Sequence, residues 1–211
     1  MGEATPPDTD GELDVHRIVS ADGTEIAGRM HGQGPPLVLV HGGLGDGETS
    51  WESLLPFLAD RFTCYTMSAR GWGLSSQHSD HSPERLVEEE LIDLVGNDDE
   101  VAGLSATDYF EAAGQHVPVH LQELEQATQS DDPGPTDPSV LARITVPVLL
   151  LHGSRTTMDG WFTDSVRYVA DHVADPHVRE IADAGHLGPY CEPDAVADEL
   201  LQFFERALQP A

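Results

Sequence analysis

Two short apolar runs, Leu37-Val38-Leu39-Val40 and Val146-Pro147-Val148-Leu149-Leu150-Leu151, constrain this chain more than any other feature. Both are continuous rather than alternating, and each runs into a His-Gly pair, His41-Gly42 and His152-Gly153. A continuous run of that length suits a strand buried on both faces of a parallel sheet, because alternation appears only where one face meets water. Phe62 to Met67 reads as another such strand, and Val178 to Ile181 as a shorter one. Between them lie segments of helical spacing: Trp51 to Ala59, Trp161 to Val173, and a terminal amphipathic helix from Pro193 to Leu208. Strands alternating with helices predict an α/β fold with a mostly parallel sheet. At the front, Leu13 to Val19 and Glu25 to Met30 flank the turn Ala21-Asp22-Gly23 and predict a β-hairpin.

The middle of the chain reads differently. Ser82-Pro83 is an N-cap followed by proline at the first helical position, opening a helix that Gly96 can close. Ser105 with Asp108 three residues on predicts a capping box for a helix ending near Gly114. Pro118 opens another helix, to about Gln129, before the polar loop Ser130 to Pro138. The domain organisation predicted is an acidic disordered tail over 1–11 and a single domain over 12–211, with a small helical cap inserted at about 90–140.

Charge decides the classes of partner. Asp and Glu number 38 against 10 Lys plus Arg, for a formal net charge of −28, and all ten basic residues are arginine. A charge built for a partner forms a block or a tail. Here the acids run from Glu3 to Glu205, which predicts adaptation to a cytoplasm of multimolar salt, where screening shortens to about 3 Å. A nucleic-acid partner is excluded, since nothing neutralises a phosphate backbone. No apolar stretch approaches the roughly 18 residues of a membrane span. The start MGEATPPDTDGE has no charged-then-apolar leader pattern, so a cytoplasmic location is predicted. Cys64 and Cys191 stand far apart in no metal-ligand spacing. His116 and His120, four apart with Glu123 beside them, have the spacing of two metal ligands but no third, and read as surface or cap-lining histidines. No cofactor and no metal are predicted.

Four segments together carry a resemblance. The first is Leu37 to Gly43 followed by Trp51; the second is Ser68-Ala69-Arg70-Gly71-Trp72-Gly73-Leu74-Ser75. The third is Val146 to Gly153, and the fourth is Asp183-Ala184-Gly185-His186 ahead of the final helix. In this order and spacing the chain resembles the α/β-hydrolase family. The resemblance implies a hydrolase of small-molecule esters or related acyl substrates. It implies that the backbone N–H of Gly43 or Leu44, in the loop with Gly42, supplies one arm of an oxyanion hole, worth about 2.7–4 kcal/mol per donor in a working site. It makes His186 the general base, since imidazole titrates near neutrality. The usual acid position holds Thr156, and Asp159 nearby is either its substitute or a plain solvated carboxylate.

What the family needs and this chain lacks is the nucleophile in Gly-x-Ser-x-Gly, on a tight strand-to-helix turn. Ser75 lies in Gly-Leu-Ser-Ser-Gln and Ser105 in Gly-Leu-Ser-Ala-Thr, and neither follows a buried strand. Ser154 and Ser68 do follow one, but with His152, Thr66 and Arg70 where small residues are required. Between Gly73 and the late strand, two strands and their helices are missing, on the order of 50 residues. An internal deletion near residues 86–90 accounts for this, and weak or absent activity is predicted. The alternatives are proton transfer by His186 without covalent attack, or a non-catalytic remnant that binds or oligomerises. Removing a central strand leaves the edge of Leu37 to Val40 open. The late strand is therefore expected to slide in beside it; otherwise a second chain must cover it, and a homodimer becomes an expectation.

Overall fold

The computed structural model describes residues 15–19, 23, 25–43, 45–69, 71–75, 96–107, 109–114, 116, 119–121, 125, 133–157 and 160–207. Six strands form, β1 (Val15–Val19), β2 (Glu25–His31), β3 (Pro36–Val40), β4 (Thr63–Met67), β5 (Pro147–Gly153) and β6 (Asp175–Ile181). The helices are α1 (Leu55–Leu58), α2 (Asp98–Leu104), α3 (Tyr109–Gly114), α4 (Pro138–Leu141), α5 (Trp161–His172), α6 (Gly188–Cys191) and α7 (Pro193–Ala207). The expected hairpin is present: β1 and β2 pair antiparallel with Ile18 opposite Ile26. β2 then pairs antiparallel with β4, and β4 parallel with β3, Leu39 standing opposite Thr66.

The late strand does not slide in beside β3. Strand order is β1-β2-β4-β3 in one sheet, while β5 and β6 form a separate parallel pair, so β3 and β5 both end at open edges. The expectation of one mostly parallel sheet is corrected to a mixed sheet in two parts. The physical reason lies in the core. Val196 and Ala197 of α7 are buried with Leu39, Leu54, Leu58, Phe62 and Cys64 on one side and Ile181 and Ala184 on the other. One helix thus locks the β5–β6 unit to the first sheet through a shared apolar layer. Moving β5 to β3 would dissolve contacts worth about 1.5–3 kcal/mol per large buried side chain.

Two helix boundaries also differ from expectation. The stretch around Trp51 is a run of turns, and α1 begins only where Pro56, with no N–H to place, fits the first helical turn. The capping box belongs not to Ser105 but to Asn97. Its side chain accepts from the N–H groups of Asp99 and Glu100, while Glu100 accepts from the Asn97 N–H; Ser105 is the C-cap of that same helix. The expected helix from Ser82, the deletion junction near 86–90, the acidic tail and most of the 118–129 helix lie outside the described residues. Among the described residues, no helix is long and apolar enough to cross a membrane.

Candidate active site

The carboxyl ends of β3 and β4 are tied together by one histidine. His41 donates from Nδ1 to the Gly42 carbonyl at 2.7 Å and accepts at Nε2 from the Ala69 N–H at 2.9 Å. That pairing fixes the ring's tautomer and holds the loop after β3 against the loop after β4. The next turn is built by Asp46, whose Oδ1 accepts from the N–H groups of Glu48 and Thr49 at 2.9 and 2.7 Å and from the Thr49 hydroxyl at 2.9 Å. Its other oxygen lies 3.4 Å from His116 Nε2. Burial pushes the Asp46 pKa up, but the hydrogen bonds from His116, Thr49 and Glu48 outweigh it and hold the group well below the usual carboxylate range.

Trp72, fully buried, is the floor on which the cap histidines rest. His41 stands 5.1 Å from it, His116 lies over it at 4.8 Å and 30°, and His120 meets it edge-on at 6.3 Å. The His120 ring also covers Gly43. A Cβ at Gly43 would sit 2.8 Å from His120 Cε1, so only glycine lets the cap close on this loop. Sequence spacing placed His116 and His120 on one helix face; the structure turns both toward the loop and holds them by stacking and by Asp46. Among the described residues no group of three His, Cys, Asp or Glu is arranged to hold a metal.

His186 sits on the second sheet. Its loop follows β6 and is anchored to the end of β5: the Ser154 N–H donates to Ile181 O at 2.9 Å and the Arg155 N–H to Ala184 O at 2.8 Å. Asp183 takes a left-handed conformation, φ 61°, and its N–H donates to Ser154 Oγ at 2.9 Å. Below the loop lies a buried carboxyl. Glu100 Oε1 accepts from the N–H groups of Gly185 and Leu187 at 3.0 and 3.1 Å, and Oε2 from the Asn97 N–H at 3.1 Å. A Cβ on Gly185 would fall 2.1 Å from Glu100 Oε2, so this approach again requires glycine. Glu100 is the functional residue that sequence reasoning missed. Its signal was the pattern Asn-x-x-Glu at a helix start, eclipsed by the Ser105 pattern downstream.

One face of the His186 ring lies flat on Phe162, centroids 4.0 Å apart at 25°, and the outer face is exposed. The ring borders an apolar cavity of about 320 Å³ beside the open edge of β5, lined by Leu150, Phe162, Val166, Val169 and Pro189 among others. A second cavity of about 420 Å³, on the far side of Glu100, is acidic, with Glu52, Asp99, Asp183 and Glu192 in its wall. The apolar one is where His186 would act.

Burial against these apolar walls pushes the His186 pKa below its ordinary value. The imidazole is therefore expected to titrate, by NMR of its ring carbons, below the roughly 6.5 of an unperturbed histidine. A midpoint above that value would show a carboxylate beside the ring instead. By linkage, stability from the neutral ring is fully present above the unfolded pKa and falls as pH drops toward the lowered folded value.

Among the described residues the His186 ring makes no hydrogen bond, to serine or to carboxylate. The buried serines are committed elsewhere. Ser68 Oγ accepts from the Gly47 N–H at 3.1 Å; Ser75 Oγ accepts from the Ala27 N–H at 2.9 Å and donates to Ser68 O at 2.8 Å. At the usual acid position the Thr156 hydroxyl donates to Gly153 O at 2.8 Å. Gly42 and Gly43 occupy the expected loop, Gly42 facing open space. Leu44 and Asp159 lie outside the described residues.

Against this geometry stand the comparisons. Residues 35–120 match the family model described as alpha/beta hydrolase fold. The chain is 38% identical over 58 residues to a pyrrolizixenacetamide deacetylase of Xenorhabdus hominickii, a match covering 28% of this chain and 22% of that protein. It is 32% identical over 65 residues to a 2-hydroxy-6-oxo-6-(2'-aminophenyl)hexa-2,4-dienoic acid hydrolase of Metapseudomonas resinovorans, covering 30% and 22%. These matches span about a fifth of the length of the curated relatives. The fold superposes on an alpha/beta hydrolase of Sphaerobacter thermophilus with a TM-score of 0.64 and 19% identity, over 90% of this chain and 100% of that one. The strand–loop–helix start, the mixed sheet and the late strand followed by a histidine loop agree with all three, and the chain belongs to the α/β-hydrolase family.

Proposed function

We propose that this chain is a shortened hydrolase of the small-molecule ester or acyl class that performs no serine-based acyl transfer. The observation that carries the reading is the isolation of His186: its ring bonds to no serine, and both strands bordering the centre of the sheet, β3 and β5, have open edges. A family member presents its nucleophile from a strand in that interval. An internal deletion of that strand and its neighbours explains both facts at once. The names of the relatives, a deacetylase and a carbon–carbon-type dienoic acid hydrolase, support an acyl substrate class. The 320 Å³ apolar cavity beside His186 supports a compact apolar group within it.

Without an activated hydroxyl, an oxyanion donor at Gly43 has no tetrahedral intermediate to stabilise, and general-base catalysis alone contributes about 10²–10⁴-fold. The net charge of −28 supports a cytoplasm of high salt as its setting. The test is a fluorophosphonate probe applied to the purified chain in concentrated KCl. No serine is expected to label, and turnover of p-nitrophenyl acetate is expected to match that of a His186→Ala variant. Stoichiometric labelling of one serine, lost on His186→Ala, would overturn the reading.

A further inference from the structure

The open edges of β3 and β5 differ from the other edges of this molecule in one respect: neither carries any charge. β1, at the far border of the first sheet, holds Arg17, and β6 holds Asp175, Arg179 and Glu180. Charges on an edge strand keep other chains from pairing with it. Pro36–Val40 and Pro147–Gly153 contain none. The acid-free zones extend further, over residues 26–45 and 138–158, in a chain with 38 acids among 211 residues. A third such zone, 61–79, holds β4, which is paired on both sides. So the strands of the acid-free zones have the composition of interior strands, and two of them are uncovered.

The two edges are not equally accessible. That of β5 borders the cavity walled by residues of α5 and α6. That of β3 is prominent: Val38 and Val40 are 61% and 68% exposed, while Leu39 between them is buried in the core. The direction of its hydrogen bonds follows from one contact. The Thr63 N–H donates to Pro35 O at 3.0 Å, so Pro35, Leu37 and Leu39 address β4. The N–H and C=O of Val38 and Val40 therefore point to the open edge, as does the C=O of Pro36, which has no N–H to satisfy.

We propose that β3 is covered by β3 of a second copy, antiparallel across a two-fold axis at Val38. Val38 then exchanges both hydrogen bonds with its counterpart, and the Val40 N–H of each chain meets the Pro36 carbonyl of the other. The pairing joins two four-stranded sheets into one. Charge selects this occupant. Two chains of −28 each repel over most of their surface, and this edge is a place where neither brings a carboxylate to the contact. The interface is isologous and closes at two chains. It does not depend on whether a serine can be labelled, so its outcome and that of the probe experiment are separable.

The experiment is sedimentation equilibrium of the whole chain across a concentration series in roughly 2 M KCl, where the Debye length is about 2–3 Å. The expected result is a reversible monomer–dimer equilibrium with no larger species. Val38→Pro removes an N–H that β4 does not use, so the fold, followed by circular dichroism, is expected to persist while dimerisation weakens about tenfold or more. Val40→Lys, which places a charge on the edge, is expected to do the same. A monomer at every concentration overturns the proposal, and so does open-ended growth, which would mean β3 pairing with β5 of the next copy. A dimer unaffected by both substitutions also overturns it, since the contact would then lie elsewhere.

Discussion

Replacing Glu100 with alanine is expected to lower the free energy of unfolding by about 2–6 kcal/mol and to free the loop that carries His186. The estimate comes from the two donors left behind. The Gly185 and Leu187 N–H groups, both in buried residues, lose their shared acceptor, and each unsatisfied buried donor costs about 1–3 kcal/mol. The third donor, the Asn97 N–H, is only partly buried and can turn to water. Glu100→Gln separates charge from geometry. Its amide oxygen can still accept from Gly185 and Leu187, but its NH₂ group then faces the Asn97 N–H, donor against donor, which breaks the capping box. About a third of the alanine effect is expected. Urea unfolding in high salt reads the energies, and amide hydrogen exchange at Gly185 and Leu187 reads the loop. If the alanine variant stays within about 0.5 kcal/mol of the parent, water has replaced the carboxyl at no loss and Glu100 is not the anchor.

Glu100 also marks where sequence reasoning stops. It touches residues 85 and 87 positions away, and no local pattern announces such a contact. What was legible was what local physics decides. The apolar runs at Leu37 and Val148 became strands, and the glycine-rich loop after Val40 sits at a carboxyl strand end. His186 stands in the loop after β6, as its motif implied. The Asp46 turn could have been read from Asp and Thr three residues apart, a pairing in which the carboxylate accepts the N–H groups of the turn it starts. The position of β5 could not. The sequence shows that the edge of β3 needs a partner, but not that α7 pins β5 elsewhere through Val196 and Ala197. Local preference proposes a strand; the shared core decides its neighbour.

Dilution of salt is expected to unfold this protein. At most ten of its 38 acids can be paired with arginine, which leaves at least 28 unpaired carboxylates. The arginine pairs that form are largely superficial, such as Arg61–Glu205 and Arg167–Asp164, and such pairs contribute about 0–1 kcal/mol each. The Debye length is about 3 Å at 1 M salt, 10 Å at 0.1 M and 30 Å at 0.01 M, so on dilution each carboxylate begins to interact with many others. That repulsion acts against a margin of only about 5–15 kcal/mol. The thermal midpoint should therefore climb steadily from about 0.1 M to 3 M KCl, with NaCl equivalent at equal ionic strength and sucrose no substitute for either, because sucrose does not screen. Mild acid should partly replace salt by neutralising exposed acids near their ordinary pKa of about 4. That rescue has a floor. Asp46 is ionised in the fold with a depressed pKa, so its contribution is complete above the unfolded value and erodes as pH falls from there toward the folded one. Stability at low salt should thus pass through a maximum in weak acid and fall below it. A midpoint that does not move between 0.1 M and 3 M salt would mean that the acids are balanced by something other than screening.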